Sequence, residues 1–141
     1  MKQPNIFFVF LVTLLLQTKV FAINPGSQED LIVNIGDRVF FGYDSYELDY
    51  DAQELLSDQV VWLKQYNKSV IIEGYADERS AFDYALSLGL KRAAAVKNFL
   101  ISKGMNKSRI KIISYGRERP AVIGSNEGAW GQNRRAVTIV K

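Results

Sequence analysis

The sequence predicts an α/β fold of the two-layer α+β sandwich type, in which a four-stranded mixed sheet carries its helices on one face. The chain of 141 residues is the length of one domain, and its 48% apolar and 23% charged residues are typical of a globular protein. Two segments with helical spacing alternate with short β-type runs, in the order strand, helix, strand, helix, strand, strand. Each amphipathic helix needs an apolar partner, which the sheet provides.

The first 22 residues predict a cleaved secretory signal peptide. An apolar run over Ile6 to Leu16 follows the positive charge of Lys2. Its length is about half of the ~20 residues that a membrane-spanning helix needs. The triplet Val20-Phe21-Ala22 suits a signal peptidase, so we expect cleavage after Ala22 and no transmembrane helix in the mature chain.

The first strand–helix unit follows a short lead. Residues 23–36 predict a flexible arm, because residues 25–30 are polar and turn-rich. The aromatic-rich run Arg38 to Tyr43 predicts the first strand. Tyr50 to Tyr66 predicts the first helix, which Asp49 or Asp51 can cap, and its apolar stripe consists of Ala52, Leu55, Leu56, Val60 and Leu63.

The second unit repeats this order with a longer helix. Ser69 to Tyr75 predicts a strand, and Ala81 to Lys103 predicts a helix that Gly104 ends. Gly89 destabilises this helix unless close packing requires a small residue there. The expected buried residues of the helix are Ala85, Leu88, Val96, Phe99 and Leu100.

Two strands and a long loop complete the domain, which we place at residues 37–141. The strands are predicted over Arg109 to Ser114 and Arg135 to Val140, and the loop over Tyr115 to Gln132 holds four glycines and Trp130. The right-handed crossover rule makes helix-linked strands parallel where they are neighbours.

Composition excludes several classes of function. The sequence contains neither cysteine nor histidine, which excludes disulfides, thiol nucleophiles, Cys/His zinc sites and imidazole bases. Its net charge of +3 falls to +1 without residues 1–22. That near-neutral charge, and the lack of an aromatic platform beside Arg134-Arg135, argue against nucleic acid as a partner. No metal or cofactor is predicted.

The densest polar cluster, Glu73 to Ser80, follows the second strand, where ligand sites are common in α/β sheets. Arg92 lies 15 residues after Asp77, within the next helix. If the two face one pocket, Asp77 would bind an ammonium and Arg92 a carboxylate, as a zwitterionic ligand requires. The alternative is a plain salt bridge between them. Under the ligand hypothesis, replacing either residue by alanine is expected to remove binding and leave the fold intact.

Several blocks of sequence resemble a known family. They are Gly74-Tyr75-Ala76-Asp77-Glu78-Arg79, Leu86-Ser87-Leu88-Gly89, Arg92-Ala93, Ser114-Tyr115-Gly116, Arg119-Pro120-Ala121-Val122 and Asn133-Arg134-Arg135-Ala136-Val137. Together they resemble the OmpA-like peptidoglycan-binding domain family, and within it the branch of the peptidoglycan-associated lipoproteins of the Tol–Pal system. The resemblance spans residues 38–141.

This resemblance implies non-catalytic binding of peptidoglycan in the periplasm. By family correspondence, Asp77 and Arg92 hold the free amino-acid end of meso-diaminopimelate in the stem peptide, and Arg79 and Leu88 line the same pocket. The backbone of Phe41 and Gly42 is expected to donate to the ligand. The resemblance also implies a link between cell wall and outer membrane, a role in envelope integrity and cell division, and TolB, TolA and outer-membrane proteins as partners.

The chain departs from the family's pattern at several positions. It lacks the cysteine that carries the lipid, so we expect an unlipidated protein. Gly42 replaces an Asp, Tyr75 a His, Ser80 a Gly and Ala85 an Asn. The Asn at the position of Ala85 would supply two hydrogen-bond donors and an acceptor beside the pocket.

Two alternative functions remain at this stage. Glu73, Asp77 and Glu78 could supply the carboxylate pair of a cell-wall-acting enzyme. A structural Tol–Pal partner that has lost wall binding is the other alternative, and Ala85 is the feature that favours it. Trp130 could anchor a partner or pack onto the sheet.

Overall fold

The computed structural model describes residues 22–141, so the predicted signal peptide lies outside the described residues except for Ala22. The described residues form four α-helices, a short 3-10 helix and four strands. In chain order these are α1 (Gln28–Asn34), β1 (Arg38–Phe40), α2 (Tyr50–Gln65), β2 (Val70–Tyr75), α3 (Phe82–Ser102), the 3-10 helix (Lys107–Arg109), β3 (Ile110–Gly116), α4 (Glu127–Asn133) and β4 (Arg135–Val140).

The four strands form one mixed sheet in the order β1-β4-β2-β3. β2 and β3, which α3 connects, are parallel, whereas β4 is antiparallel to both β1 and β2. The predicted α/β fold, with its mixed four-stranded sheet, is therefore confirmed. β4 returns the end of the chain to the centre of the sheet and so brings residues 134–135 beside the ends of β1 and β2.

The hydrophobic core lies between the sheet and the two long helices. Asp49 caps α2 as expected, because its side chain accepts a hydrogen bond from the backbone N–H of Ala52 at 2.8 Å. Gly104, with a φ of +105°, follows α3 as its expected C-terminal glycine. The most deeply buried core residues include Leu31, Leu56, Leu63, Ile72, Val96 and Leu100.

Gly89 is required by close packing. A Cβ atom on Gly89 would overlap the side-chain oxygen of Ser114, and one on Gly74 would overlap the carbonyl oxygen of Gly89. The backbone of α3 thus lies directly on β2. This contact sets the distance between the end of β2, where Asp77 follows, and the turn of α3 that carries Arg92.

The expected flexible lead instead contains helix α1. Ser27 caps it by accepting from the backbone N–H of Asp30, and Leu31 is fully buried. Asp30 also accepts hydrogen bonds from the N–H of Gly26 at 2.8 Å and from the indole of Trp62 at 3.1 Å. The polar residues that suggested flexibility are therefore the cap of a packed helix.

The expected loop over Tyr115 to Gln132 also differs from the structure, because α4 occupies its second half. Asn126 caps α4 by accepting from the N–H of Ala129 at 2.9 Å. Asn133 then pins the preceding loop through two hydrogen bonds with the backbone of Val122. Among residues 22–141, no helix combines the length and the apolar character needed to cross a membrane.

Candidate functional site

Asp77 is a buried carboxylate at the end of β2, with 4% of its surface exposed. Its Oδ1 accepts from the backbone N–H of Arg79 at 2.9 Å and from Nε of Arg79 at 3.2 Å. Its Oδ2 accepts from Nη2 of Arg79 at 3.0 Å and from Nη1 of Arg134 at 3.4 Å. Burial raises the pKa of Asp77, but the hydrogen bonds from Arg79 and Arg134 outweigh burial and hold the pKa below its usual value. Asp77 is therefore ionised at neutral pH.

Arg92 is fully buried and binds three backbone carbonyl oxygens. Its Nε donates to Ser45 at 2.8 Å, Nη1 to Tyr75 at 2.9 Å and Nη2 to Gly42 at 3.1 Å. Burial, and to a smaller extent repulsion from Arg134, lowers the pKa of Arg92 to about 10. The guanidinium therefore stays charged at neutral pH. These bonds use three of the five N–H groups of the guanidinium.

The structure brings Asp77 and Arg92 into one cluster without joining them directly. Within residues 22–141 no ion pair links their side chains, and the ion pairs of Asp77 are with Arg79 and Arg134. Arg134 also donates from Nε to the carbonyl oxygen of Phe41 at 2.8 Å, next to the Gly42 carbonyl that Arg92 binds. The two arginines thus hold the end of β1 beside the end of β2.

Sequence reasoning missed Arg134 as a direct partner of Asp77. Arg134 directly follows α4, and its Nη2 donates to Glu127, at the start of that helix, at 2.7 Å. Asn126 before Glu127 is a helix-start pattern that could have predicted α4. The fold then brings Arg134 to Asp77 across 57 positions of sequence.

Arg79 covers Asp77 and is itself held by two aromatic rings. Its guanidinium carbon lies 4.6 Å from the centroid of the Tyr43 ring and 4.1 Å from that of Trp130. The indole N–H of Trp130 donates to Glu78 at 3.0 Å, which fixes the plane of that ring. In this structure Trp130 contacts Arg79, and it extends from α4 rather than from a loop.

The remaining predicted residues lie around this cluster. Phe41 is buried, with its ring centroid 5.3 Å from the guanidinium carbon of Arg92, and Leu88 is buried with Ala76 and Ala85. The backbone N–H of Phe41 donates to the carbonyl oxygen of Arg134 at 2.9 Å. This N–H therefore pairs β1 with residue 134, and donation from the backbone of Phe41 and Gly42 to a ligand stays a prediction.

Two further features define what surrounds the site. A groove of about 900 Å³ lies between the β1–α2 loop and α3, and Ser45 and Lys91 are among the residues that line it. Asp77 is not among them. Within the described part of the chain, no group of three or more acidic side chains is arranged to hold a metal ion.

Comparison with known proteins gives consistent matches. Residues 40–134 match the OmpA family. The peptidoglycan-associated lipoprotein of Mesorhizobium japonicum is 52% identical over 120 residues, which cover 84% of this chain and 71% of that protein. The corresponding protein of Agrobacterium fabrum is 50% identical over 117 residues, covering 82% of this chain and 66% of that protein.

A solved structure agrees with the observed fold. The crystal structure of the peptidoglycan-associated lipoprotein from Burkholderia pseudomallei superposes with a TM-score of 0.74 at 33% identity. The match covers 79% of this chain and all of that chain.

Proposed function

This chain belongs to the OmpA family and, within it, to the group of the peptidoglycan-associated lipoproteins, and from that membership we propose that it binds peptidoglycan without catalysing a reaction. We place the binding site at Asp77 and Arg92, with the diaminopimelate of the stem peptide as ligand. The observation that carries this proposal is the ionised Asp77 carboxylate in one cluster with the charged, buried guanidinium of Arg92.

The two side chains suit the two charges of a free amino-acid end. Asp77 accepts hydrogen bonds on both carboxylate oxygens, and an ammonium can take the place of one of the present donors. Arg92 donates three N–H groups to backbone carbonyls, which leaves two N–H groups for the carboxylate of a ligand. A zwitterionic ligand therefore adds no net charge to the cluster.

The other proposed site residues shape the pocket rather than supply its charge. Phe41 and Leu88 provide apolar walls, and Gly42 contributes its backbone beside Arg92. Arg79 lies over Asp77. Ala85 is fully buried and offers no polar side chain, so the ligand makes fewer hydrogen bonds here than it would beside an Asn.

The carboxylates of Asp77 and Glu78 do not suit the acid catalyst of a cell-wall hydrolase. Hydrogen bonds from Ser125 and Trp130 lower the pKa of Glu78, and Asp77 is also held below its usual pKa. A glycosidase needs a carboxylic acid with a raised pKa as its proton donor. This contrast favours binding over hydrolysis.

The proposed location is the periplasm, in association with the cell wall and the outer membrane. There the protein would help to link the two layers during growth and division, with TolB, TolA and outer-membrane proteins as partners. No residue of the sequence is a cysteine, so we propose that none of them carries a thioether-linked lipid.

Co-sedimentation of the purified protein with peptidoglycan sacculi tests this function. We expect the protein to pellet with the sacculi, to be released by free meso-diaminopimelate, and to liberate no muropeptides. Protein that stays in the supernatant would contradict wall binding and favour a structural role. Release of muropeptides would favour an enzyme.

A further inference from the structure

Both charged residues of the proposed site are covered in this structure. Asp77 has 4% of its surface exposed and Arg92 has none. The group that lies over the Asp77 carboxylate is the guanidinium of Arg79, whose side chain is 30% exposed. A ligand ammonium that binds Asp77 must take the place of Arg79 or of Arg134, the two side chains that now pair with the Asp77 carboxylate.

We propose that Asp77, Tyr43 and Trp130 form a cation site that Arg79 occupies in the free protein, and that the ammonium of the ligand displaces Arg79 from it. This inference rests on the proposed function and assigns two aromatic rings to the same site. It makes Arg79 an internal competitor of the ligand.

The geometry around Arg79 is that of a cation site. A carboxylate binds the guanidinium from one side through two N–H groups, and two aromatic rings lie within 4.6 Å of its central carbon. Rings at this distance attract a cation by their electron-rich faces, and aromatic cages bind ligand ammonium groups in the same way. An ammonium in place of the guanidinium would meet the same three partners.

Arg79 is better placed to move than Arg134. The side chain of Arg134 is 9% exposed and is tied to Phe41, Glu127 and Asp77. Arg79 lies in the turn between β2 and α3, and all of its side-chain hydrogen bonds go to Asp77. Tyr43, on the far side of Arg79, is 69% exposed, so the guanidinium can leave toward solvent without unpacking the core.

An internal competitor lowers the apparent affinity for the ligand. The tethered guanidinium is always close to Asp77, so only the fraction of molecules in which it has left can bind. Removal of Arg79 should therefore strengthen binding. If Arg79 instead grips the ligand, its removal should weaken binding, so the two roles predict opposite signs.

Calorimetric titration with free meso-diaminopimelate separates these roles. We expect Arg79→Gln to bind on the order of tenfold more tightly than the unmodified protein, because no tethered cation then competes for Asp77. Arg117→Gln is the matched control, because Arg117 lies in a nearby loop and donates to the carbonyl oxygen of Ser80. The affinity of Arg117→Gln for meso-diaminopimelate should equal that of the unmodified protein.

Weaker binding by Arg79→Gln than by the unmodified protein would overturn the inference and make Arg79 a ligand contact. That result leaves the proposed function intact, because binding still occurs. Absence of binding by the unmodified protein would instead contradict the proposed function.

A second pair of variants tests the contribution of the Tyr43 ring. In the Arg79→Gln background, Tyr43→Leu should weaken binding about two- to fivefold, because the ring would then face the ammonium of the ligand. Tyr46→Leu in the same background is the control, since Tyr46 is a comparably exposed tyrosine of the same loop that lies beside Lys91. Equal affinities for the two double variants would show that the Tyr43 ring contributes nothing to the cation site.

Discussion

Gly74 of β2 and Gly89 of α3 contact each other through their backbones, and neither position has room for a side chain. A Cβ atom at position 74 would overlap the carbonyl oxygen of residue 89, and backbone cannot rotate away as a side chain does. This contact lets α3 approach the sheet closely enough for Arg92 to donate to the carbonyl oxygen of Tyr75.

Gly74→Ala should therefore destabilise the fold. We expect the free energy of unfolding to fall by about 1–3 kcal/mol, because an added methyl in a packed interior forces the helix away from the strand. Urea unfolding measures the change. Gly131→Ala is the control, because the nearest atom to its added Cβ would lie 3.6 Å away, at ordinary contact distance. Equal stabilities of the two variants would contradict the close-packing argument.

Arg92→Ala should also destabilise the protein, which changes the expectation that the fold would stay intact. The substitution leaves the buried carbonyl oxygen of Tyr75 without its donor and removes the donor of the partly buried bonds to Gly42 and Ser45. We expect a loss of about 1–3 kcal/mol in the free energy of unfolding, since one unpaired buried group costs about that much and water can reach the other two carbonyls. Urea unfolding of Arg92→Ala and of Arg79→Ala, which is partly exposed, checks this. A loss below about 1 kcal/mol for Arg92→Ala would show that water replaces the guanidinium.

The regular elements of this fold could be predicted because their signals are local. Apolar spacing predicts α2 and α3 to within one residue of their observed ends, with Asp49 or Asp51 as the cap of α2 and Gly104 as the end of α3. Helix α1 is not predicted, because its polar, turn-rich start is typical of a flexible segment. Yet Ser27, followed three residues later by Asp30 and then by an apolar run, is a capping pattern.

The candidate site was predictable only in part, because its contacts join distant segments. Residue type and spacing single out Asp77 and Arg92 but leave a ligand pair and a plain salt bridge open, and only the family resemblance favours the ligand. Arg134, the distant partner of Asp77, follows α4, and the glycines at positions 128 and 131 made this helix hard to predict because they are poor helix formers. The β1–α2 loop and the end of β2 supply the carbonyl oxygens that Arg92 binds, and no local pattern in the sequence predicts that these segments meet.

Asp77→Asn should abolish or greatly weaken peptidoglycan binding while the fold persists. The amide keeps the shape of the carboxylate but removes the charge that holds an ammonium. The expected loss of about 2–5 kcal/mol corresponds to roughly 30-fold to several-thousand-fold in affinity. Sacculus co-sedimentation measures binding, and thermal melting verifies the fold. Asp58→Asn, on an exposed face of α2, should bind as the unmodified protein does. If Asp77→Asn binds normally, the assignment of diaminopimelate to Asp77 is wrong.

The ion pairs of Asp77 should also make stability depend on pH in a predictable direction. The folded protein holds the pKa of Asp77 below its ordinary value of 3.8, so the folded state favours the carboxylate more than the unfolded state does. This contribution to stability is therefore present above about pH 4 and is lost as the pH falls through the folded pKa.

Asp30, whose pKa is also lowered, adds a loss of stability with the same sign, so the unmodified protein alone does not isolate the contribution of Asp77. The difference in unfolding free energy between the unmodified protein and Asp77→Asn isolates the contribution of Asp77, because Asp30 is common to both proteins. We expect this difference to be constant from pH 6 to pH 8 and to shrink toward acid, as measured by urea unfolding at each pH. A difference that stays the same down to pH 2 would mean that the charge of Asp77 contributes nothing to the fold and that only its shape matters.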